Sequence, residues 1–142
     1  MRQDSRLPRV LHALLHLDQM EGPATSERIA VMLGTNAAVV RRTMAGLREA
    51  GIVSAVKGHG GGWSLARPLA EISLLDIYRA LGTPTLFAIG IDDASTQCQL
   101  ARVANAATED ALAEAQKQFE AQLRAVSVAD LTAGLKGHGA TH

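Results

Sequence analysis

Apolar residues recur at helical spacing in three stretches of the first fifty residues. Six Leu and Val residues in the stretch 7–20 share one side of a predicted helix. A second helix, capped by Thr25 or Ser26, is expected to end at Gly34. A third helix is predicted over 37–50. Two helices joined by a tight turn indicate a helix-turn-helix.

A glycine-rich segment follows the third helix and lies between two short apolar runs. Residues 58–62 include four glycines, and the runs Ile52–Val56 and Trp63–Arg67 flank them. Glycine permits positive φ and a close approach of the backbone to a partner, so the segment predicts the tip of a tight hairpin. A hairpin directly after a helix-turn-helix is typical of the wing of a winged helix, whose partner is DNA.

The third helix has the composition of a recognition helix. Val40, Met44 and Leu47 repeat at spacings of four and three and form its predicted buried stripe. Small residues and arginines lie largely off that stripe, as entry into a groove and contact with bases or phosphates require. The candidate DNA-contacting residues lie on the second and third helices and on the hairpin: Ser26, Arg28, Thr35, Asn36, Ala38, Arg41, Arg42, Lys57, His59, Gly60 and Arg67.

The hairpin also permits an enzymatic interpretation. The run from His59 to Gly62 matches the oxyanion-hole motif of lipases and esterases. Those enzymes require a nucleophile in the pattern G-x-S-x-G, and none of the serines in this chain is flanked in that way. No Lys-Ser or Lys-Thr pair follows the glycines, which argues against a phosphate-binding loop. We therefore expect that the protein is not an enzyme.

Two further elements are predicted after the hairpin. Ser73 and Asp76 have the spacing of a capping box and predict a helix that reaches about Leu81. The apolar run 85–91 is too short to distinguish a strand from a buried loop.

The longest helical pattern runs over residues 97–126, with one break expected near 105–108. A heptad-like seam predicts a dimer interface along it: Leu112, Ala115, Phe119, Leu123 and Val126. So short a chain is not expected to cover this seam alone, which favours a homodimer. Ser127 is expected to cap a last short helix that ends near residue 135.

Composition and charge place the candidate site in the first half of the chain. The net charge is zero, but residues 1–70 carry +4 and residues 71–142 carry −4, so only the first half suits phosphate contact. Hydrophobic residues make up 47% and aromatic residues 3%, which favours helix packing. The chain has no run of eighteen apolar residues and no signal-peptide pattern, and we expect a cytoplasmic protein without a membrane span.

Four segments of the chain resemble the Rrf-two family of bacterial winged-helix transcription regulators: Leu47–Val53, Lys57–Arg67, Ile72–Ile77 and Ser127–Leu131. That family includes the iron–sulfur cluster biogenesis regulator and the nitric-oxide-sensing repressor. The resemblance implies a mainly α fold with a small β-wing, in which a long C-terminal dimerisation helix follows the winged helix-turn-helix. It implies a sequence-specific DNA-binding regulator, here expected to be a repressor, that acts as a homodimer on a palindromic operator.

The expected organisation has three parts. A DNA-binding domain spans 1–82, and a loop, the dimerisation helix and a terminal helix span 83–135. A disordered tail is expected over 136–142. An alternative also stays open, namely a protein-interaction module that retains the winged-helix fold without binding DNA.

The resemblance also bears on cofactors. Many members of the family sense through three cysteines, whereas this chain has only Cys98. A [2Fe–2S] centre normally takes four protein ligands, and Cys98 with His12 would supply two per subunit. We expect no iron–sulfur cluster and no metal cofactor. His12 and His16 have a metal-binding spacing on a helix, but the sequence shows no carboxylate or thiol placed to complete a site.

Two interpretations of Cys98 stay open. If Ser95 or Thr96 caps the long helix, Cys98 lies in its first turn, where the helix N-terminus makes a thiol more reactive. Cys98 would then be a redox or electrophile sensor beside the dimer helix. Otherwise it is a small, inert packing residue, and the effector is a small molecule or a partner.

Overall fold

The computed structural model describes residues 3–93, 97–133 and 135. In these residues a small antiparallel sheet lies within a mainly helical chain, which confirms the predicted fold class. The α-helices are α1 (Arg6–Gln19), α2 (Ser26–Leu33), α3 (Ala37–Glu49), α4 (Leu74–Ala80), α5 (Gln99–Arg124) and α6 (Asp130–Ala133). The strands β1 (Val53–Val56) and β2 (Gly62–Leu65) form a hairpin between α3 and α4, and a single 3-10 turn follows over Leu69–Glu71.

Helices α2 and α3 form the helix-turn-helix, and two side-chain caps and one glycine define their ends. Thr25 is the residue that caps α2, and its Oγ1 accepts a hydrogen bond from the backbone N–H of Arg28 at 3.1 Å. Gly34 ends α2 in the left-handed conformation with φ of 67°. Asn36 Oδ1 then accepts from the backbone N–H of Val39 at 3.0 Å and starts α3. These caps define the turn between α2 and α3.

One hydrophobic core joins the helix-turn-helix, the hairpin and the C-terminal segment. Its fully buried members come from five different elements and include Leu14, Ile29, Leu47 and Ile77. Val128, which follows α5, is also completely buried in this core. Backbone hydrogen bonds hold it there, because the N–H of Val128 donates to Ile72 O at 2.8 Å. The C-terminal segment is therefore part of the core that supports α3.

The two predicted serine caps are present. Ser73 Oγ accepts from Asp76 N at 3.0 Å, while Asp76 Oδ2 accepts from Ser73 N at 2.9 Å, so the predicted capping box opens α4. Ser127 and Asp130 make the same pair of hydrogen bonds at the start of the last helix. That helix, α6, ends at Ala133, slightly before the predicted end.

Two predictions in the middle of the chain are wrong. The run 85–91 is neither a strand nor a buried loop, because Phe87, Ile89 and Ile91 are all exposed. Helix α5 has no break near 105–108. The amide side chain of Asn105 bonds outward, to the backbone N–H and C=O of Asp92 at 2.9 and 2.8 Å, and so does not compete for the backbone hydrogen bonds of α5. The predicted tail 136–142 and the candidate caps Ser95 and Thr96 lie outside the described residues.

Candidate nucleic-acid interface

Helix α3 turns its buried stripe inward and leaves its opposite side open. Val40, Met44 and Leu47 are buried, as predicted. Ala38, Arg41, Arg42 and Ala45 are exposed. Small residues beside two arginines leave room for α3 to approach a major groove, with guanidinium groups that can reach base edges or phosphates.

Arg41 and Arg42, two of the three arginines of α3, have different surroundings. Arg41 Nη2 contacts Glu27 Oε1 of α2 at 2.9 Å, in an ion pair whose side chains are more than half exposed. Such exposed pairs contribute little stability, but this contact must still open before Arg41 can meet another ligand. Arg42 makes no ion pair or side-chain hydrogen bond within the described part of the chain. Of Arg41 and Arg42, Arg42 is therefore the one that is free to meet a ligand.

A basic groove runs beside Arg42, and the sequence pattern did not indicate it. Arg6, Arg9 and Arg42 line this groove of about 380 Å³ between α1, α3 and α4. The side chain and backbone N–H of Arg6 both donate to Asp4, and these hydrogen bonds lower the pKa of Asp4 to about 2. Asp4 is therefore ionised at neutral pH and offsets the charge of Arg6. Arg9 and Arg42 supply the uncompensated positive charge.

The hairpin tip is the second exposed basic feature. Lys57, His59 and Gly60 are all exposed, and Gly58 and Gly60 have φ of 91° and 78°. A hydrogen bond from Gly61 N to Gly58 O, at 3.0 Å, closes the turn. The tip holds a lysine and a histidine away from the core, as contact with a DNA backbone or minor groove requires.

The base of the wing is joined to the loop before α2. Trp63 and Ala24 exchange two backbone hydrogen bonds, at 2.9 and 2.7 Å. The Trp63 indole Nε1–H donates to Ser26 Oγ at 2.9 Å. Ser26 is only 8% exposed, so little of its surface is left for the DNA contact predicted there. Its hydroxyl instead fixes the wing relative to α2.

Arg67, another candidate DNA contact, has a hydrogen-bond partner within the chain. It follows β2, at the base of the wing and away from the tip, and its Nη2 donates to the backbone carbonyl of Glu71 at 2.6 Å. This bond ties the end of the hairpin to the 3-10 turn. Arg67 thus positions the wing, and the structure does not bring it together with Lys57 and His59.

The remaining candidate residues lie at the helix-turn-helix. Arg28 is exposed on the first turn of α2, and Asn36 is exposed at the start of α3. The Oδ1 atom of Asn36 already accepts a hydrogen bond as the helix cap, which leaves its amide N–H groups for a ligand. Thr35 is half-buried in the turn. These roles in DNA contact stay predictions.

The seam of α5 faces the chain itself more than was expected. Leu123 is buried against Leu75 and Tyr78 of α4, and the ring of Phe119 meets Tyr78 edge-on at 5.3 Å between ring centroids. Leu86 covers the same cluster. The expectation that the chain is too short to cover this seam is therefore wrong for its C-terminal half, and Leu123 has little surface left for a second copy.

The rest of the seam keeps some accessible surface. Leu112 and Ala115 are half-buried, and Val126 is half-buried beyond the end of α5. The largest exposed apolar side chains of α5 lie near its start, where Leu100 is 81% and Val103 is 64% exposed. Cys98 is exposed directly before them and is the N-cap residue of α5 rather than a member of its first turn.

The comparisons with known proteins agree with this architecture. The family model of Rrf2, described as an iron-dependent transcriptional regulator, matches residues 4–134. The chain belongs to the Rrf2 family. This is the family that the four sequence segments resemble, and its members are transcription regulators that bind DNA through this fold.

Individual Rrf2 relatives extend the similarity over nearly the whole chain. YwnA of Bacillus subtilis (strain 168), named as a candidate HTH-type transcriptional regulator, is 33% identical over 129 residues, which are 90% of this chain and 95% of YwnA. The structure of a candidate regulator from Lactobacillus plantarum is 26% identical, with a TM-score of 0.77 over 94% of this chain and 91% of that one. T. potens IscR is 24% identical, with a TM-score of 0.71 over 100% and 93%. These relatives and fold neighbours are regulators and not enzymes.

The family description refers to iron, and an iron centre needs several protein ligands. This Rrf2 chain has few residues that could serve as such ligands. Cys98 is its single cysteine. In the parts of the chain that the structure describes, no three His, Cys, Asp or Glu side chains form a group that could hold a metal ion. One thiolate does not fit a cluster that takes four protein ligands.

No helix among the described residues is long and apolar enough to cross a membrane.

Proposed function

We propose that this Rrf2 protein is a cytoplasmic repressor that binds a palindromic operator as a homodimer, without an iron–sulfur cluster. The observation that carries the proposal is the exposed side of α3, where Arg42 stands free beside the basic groove and small residues leave room for a DNA groove. The exposed tip at Lys57 and His59 adds a second basic contact. A two-fold dimer presents two such surfaces to the two halves of one palindrome.

A binding titration tests the DNA half of this proposal. Double-stranded DNA from upstream of the protein's own gene and a random duplex of equal length are titrated over a salt series. We expect tighter binding to the upstream DNA and a loss of affinity for both duplexes as salt increases, because phosphate contacts release counterions. Equal, weak and salt-independent binding would instead favour the protein-interaction module. Repression is then measured with a reporter gene behind the same DNA.

The exposed start of α5 is the surface that we assign to the dimer. Leu100, Val103, Ala107 and Ala111 are exposed and follow one another at spacings of three and four, so they share one side of the helix. This side differs from the one that packs on α4. Leu112 and Ala115 precede Phe119 by seven and four residues, so they lie toward the side on which Phe119 and Leu123 hold the helix against its own chain.

The variant Val103→Glu is expected to convert the dimer into a monomer and to leave the fold intact. Val103 makes no core contact in the chain, and a charge at the centre of an apolar contact costs several kcal/mol when it is desolvated. Light scattering measures the mass, and circular dichroism measures the helix content. The matched control is Ala113→Glu, an exposed position on another side of α5, which should stay dimeric. A dimeric Val103→Glu protein would place the interface elsewhere.

Cys98 is the group that we propose as a redox or electrophile sensor. It is exposed and directly precedes the apolar side of α5 that we assign to the dimer. Oxidation to the sulfenic acid adds a polar group at that edge and is reversible by thiols. Such a change would alter how the two copies pack and thus the spacing of the two recognition helices.

Peroxide treatment is expected to weaken operator binding by wild-type protein and to leave Cys98→Ser protein unchanged. Operator titrations of both proteins, before and after peroxide and after added thiol, measure the effect. Recovery with thiol in the wild type separates Cys98 oxidation from general damage. If both proteins respond alike, or neither responds, Cys98 is not the sensor and the effector is a small molecule or a partner.

A further inference from the structure

The imidazoles of His12 and His16 converge on one point beside α1. Their Nε2 atoms lie 3.0 Å apart, and their ring centroids are separated by 4.7 Å. His12 is exposed and His16 is half-buried, so both side chains have access to water. They nevertheless direct the same ring nitrogen toward each other. The face of α1 that carries them lies away from buried Val10, Leu14 and Leu17.

We propose that His12 and His16 form a bidentate site for a divalent transition-metal ion, with Cu²⁺ or Ni²⁺ as the ions that fit its geometry best. Two metal–nitrogen bonds of about 2.0–2.1 Å that meet at a right angle separate their nitrogens by about 2.9 Å, whereas a tetrahedral angle requires about 3.3–3.4 Å. The observed 3.0 Å is close to the first value. Right-angled positions occur in the square-planar and tetragonal coordination typical of Cu²⁺ and Ni²⁺, and imidazole is a preferred ligand of both.

The same distance also permits a hydrogen bond between two neutral imidazoles. In that arrangement only one Nε2 carries a proton and the other accepts it. Water offers an exposed imidazole an equivalent partner, so such a bond contributes little. A metal ion uses the lone pairs of both nitrogens at once, and water molecules complete its coordination. Within the described ranges no third His, Cys, Asp or Glu joins the pair, so the ion would be held at the surface and exchangeable.

This site is separate from the DNA-binding surface in the residues that it uses. It takes nothing from α3 or the wing, and it does not involve Cys98. A bound ion would connect two successive turns of α1, the helix that also carries Arg9 of the basic groove. The site thus goes beyond the proposed repressor function and does not depend on it.

Calorimetric titration of the full chain with NiCl₂ and with CuCl₂ tests the site. The wild type is compared with His12→Asn, His16→Asn and a matched control, His59→Asn, which removes the exposed histidine of the wing. We expect each α1 variant to weaken the tightest binding event at least about tenfold, because one imidazole alone loses the advantage of a second linked ligand. His59→Asn should leave that event unchanged. Electron paramagnetic resonance of the Cu²⁺ form should show two nitrogen ligands in the wild type and fewer in either α1 variant.

Two outcomes would overturn the proposal. Equal binding by all four proteins would place the ion on other side chains. Absence of binding in the wild type would leave His12 and His16 as a hydrogen-bonded pair only. Circular dichroism of the variants checks that α1 still folds, which is expected because neither imidazole belongs to the core.

Discussion

Replacement of Gly62 by alanine is expected to lower the free energy of unfolding by about 3 kcal/mol or more. Gly62 has φ of 145°, a backbone conformation that residues with a side chain rarely adopt. A Cβ atom at this position would also clash with the carbonyl oxygen of Ala24. That oxygen is fixed, because it accepts the backbone hydrogen bond from Trp63. The added methyl group must therefore separate β2 from the loop before α2.

Urea unfolding followed by far-UV circular dichroism measures this loss. The matched control is Gly60→Ala, at the tip of the same hairpin, where φ is 78° but no atom lies within 4 Å of the added Cβ. Backbone strain alone should then cost about 1–2 kcal/mol. Equal losses in the two variants would show that the contact with Ala24 does not hold the wing. DNA binding by Gly62→Ala should also weaken, since the tip loses its fixed position.

Replacement of Arg42 by alanine is expected to weaken operator binding by about 1–3 kcal/mol, which is roughly fivefold to 150-fold. Arg42 is exposed on the side of α3 opposite the core, and within the described residues it has no ion-pair partner to release. Loss of a base contact should affect the operator and spare a random duplex. Loss of a phosphate contact should weaken binding to both duplexes. It should also reduce the slope of log affinity against log salt concentration by about one.

The matched control is Arg41→Ala, one residue earlier on the same helix. Its guanidinium must leave Glu27 before it can contact DNA, so we expect a smaller loss of affinity than for Arg42→Ala. Thermal unfolding should be nearly unchanged in both variants, because the side chains are exposed and the Arg41 pair is weak. Unchanged affinity of Arg42→Ala for both duplexes would exclude this side of α3 as the reading surface.

The contrast between Ser73 and Ser26 shows which features the sequence can predict. Ser73 and Asp76 form a cap within four residues, and the spacing alone predicts it correctly. Ser26 is one of the candidate DNA contacts, yet its hydroxyl accepts a hydrogen bond from the indole of Trp63. Its partner Trp63 lies 37 positions away in the chain, and no local pattern indicates that the wing returns to this hydroxyl.

Periodicity has the same limit along α5. The heptad-like spacing correctly groups Phe119 and Leu123 on one side of a helix, but spacing does not identify what covers that side. Tyr78 of the same chain covers this side of α5, whereas the spacing predicts contact with a second copy of the protein. The basic groove was missed for a related reason, since Arg9 and Arg42 are brought together only when α1 packs beside α3.

The burial of Val128 has a consequence for any fragment of this protein. A cut near residue 82, at the expected domain boundary, would remove a completely buried side chain and two backbone hydrogen bonds that pin the entry to α4. The DNA-reading head and the long helix therefore belong to a single cooperative unit, not to two modules joined by a linker.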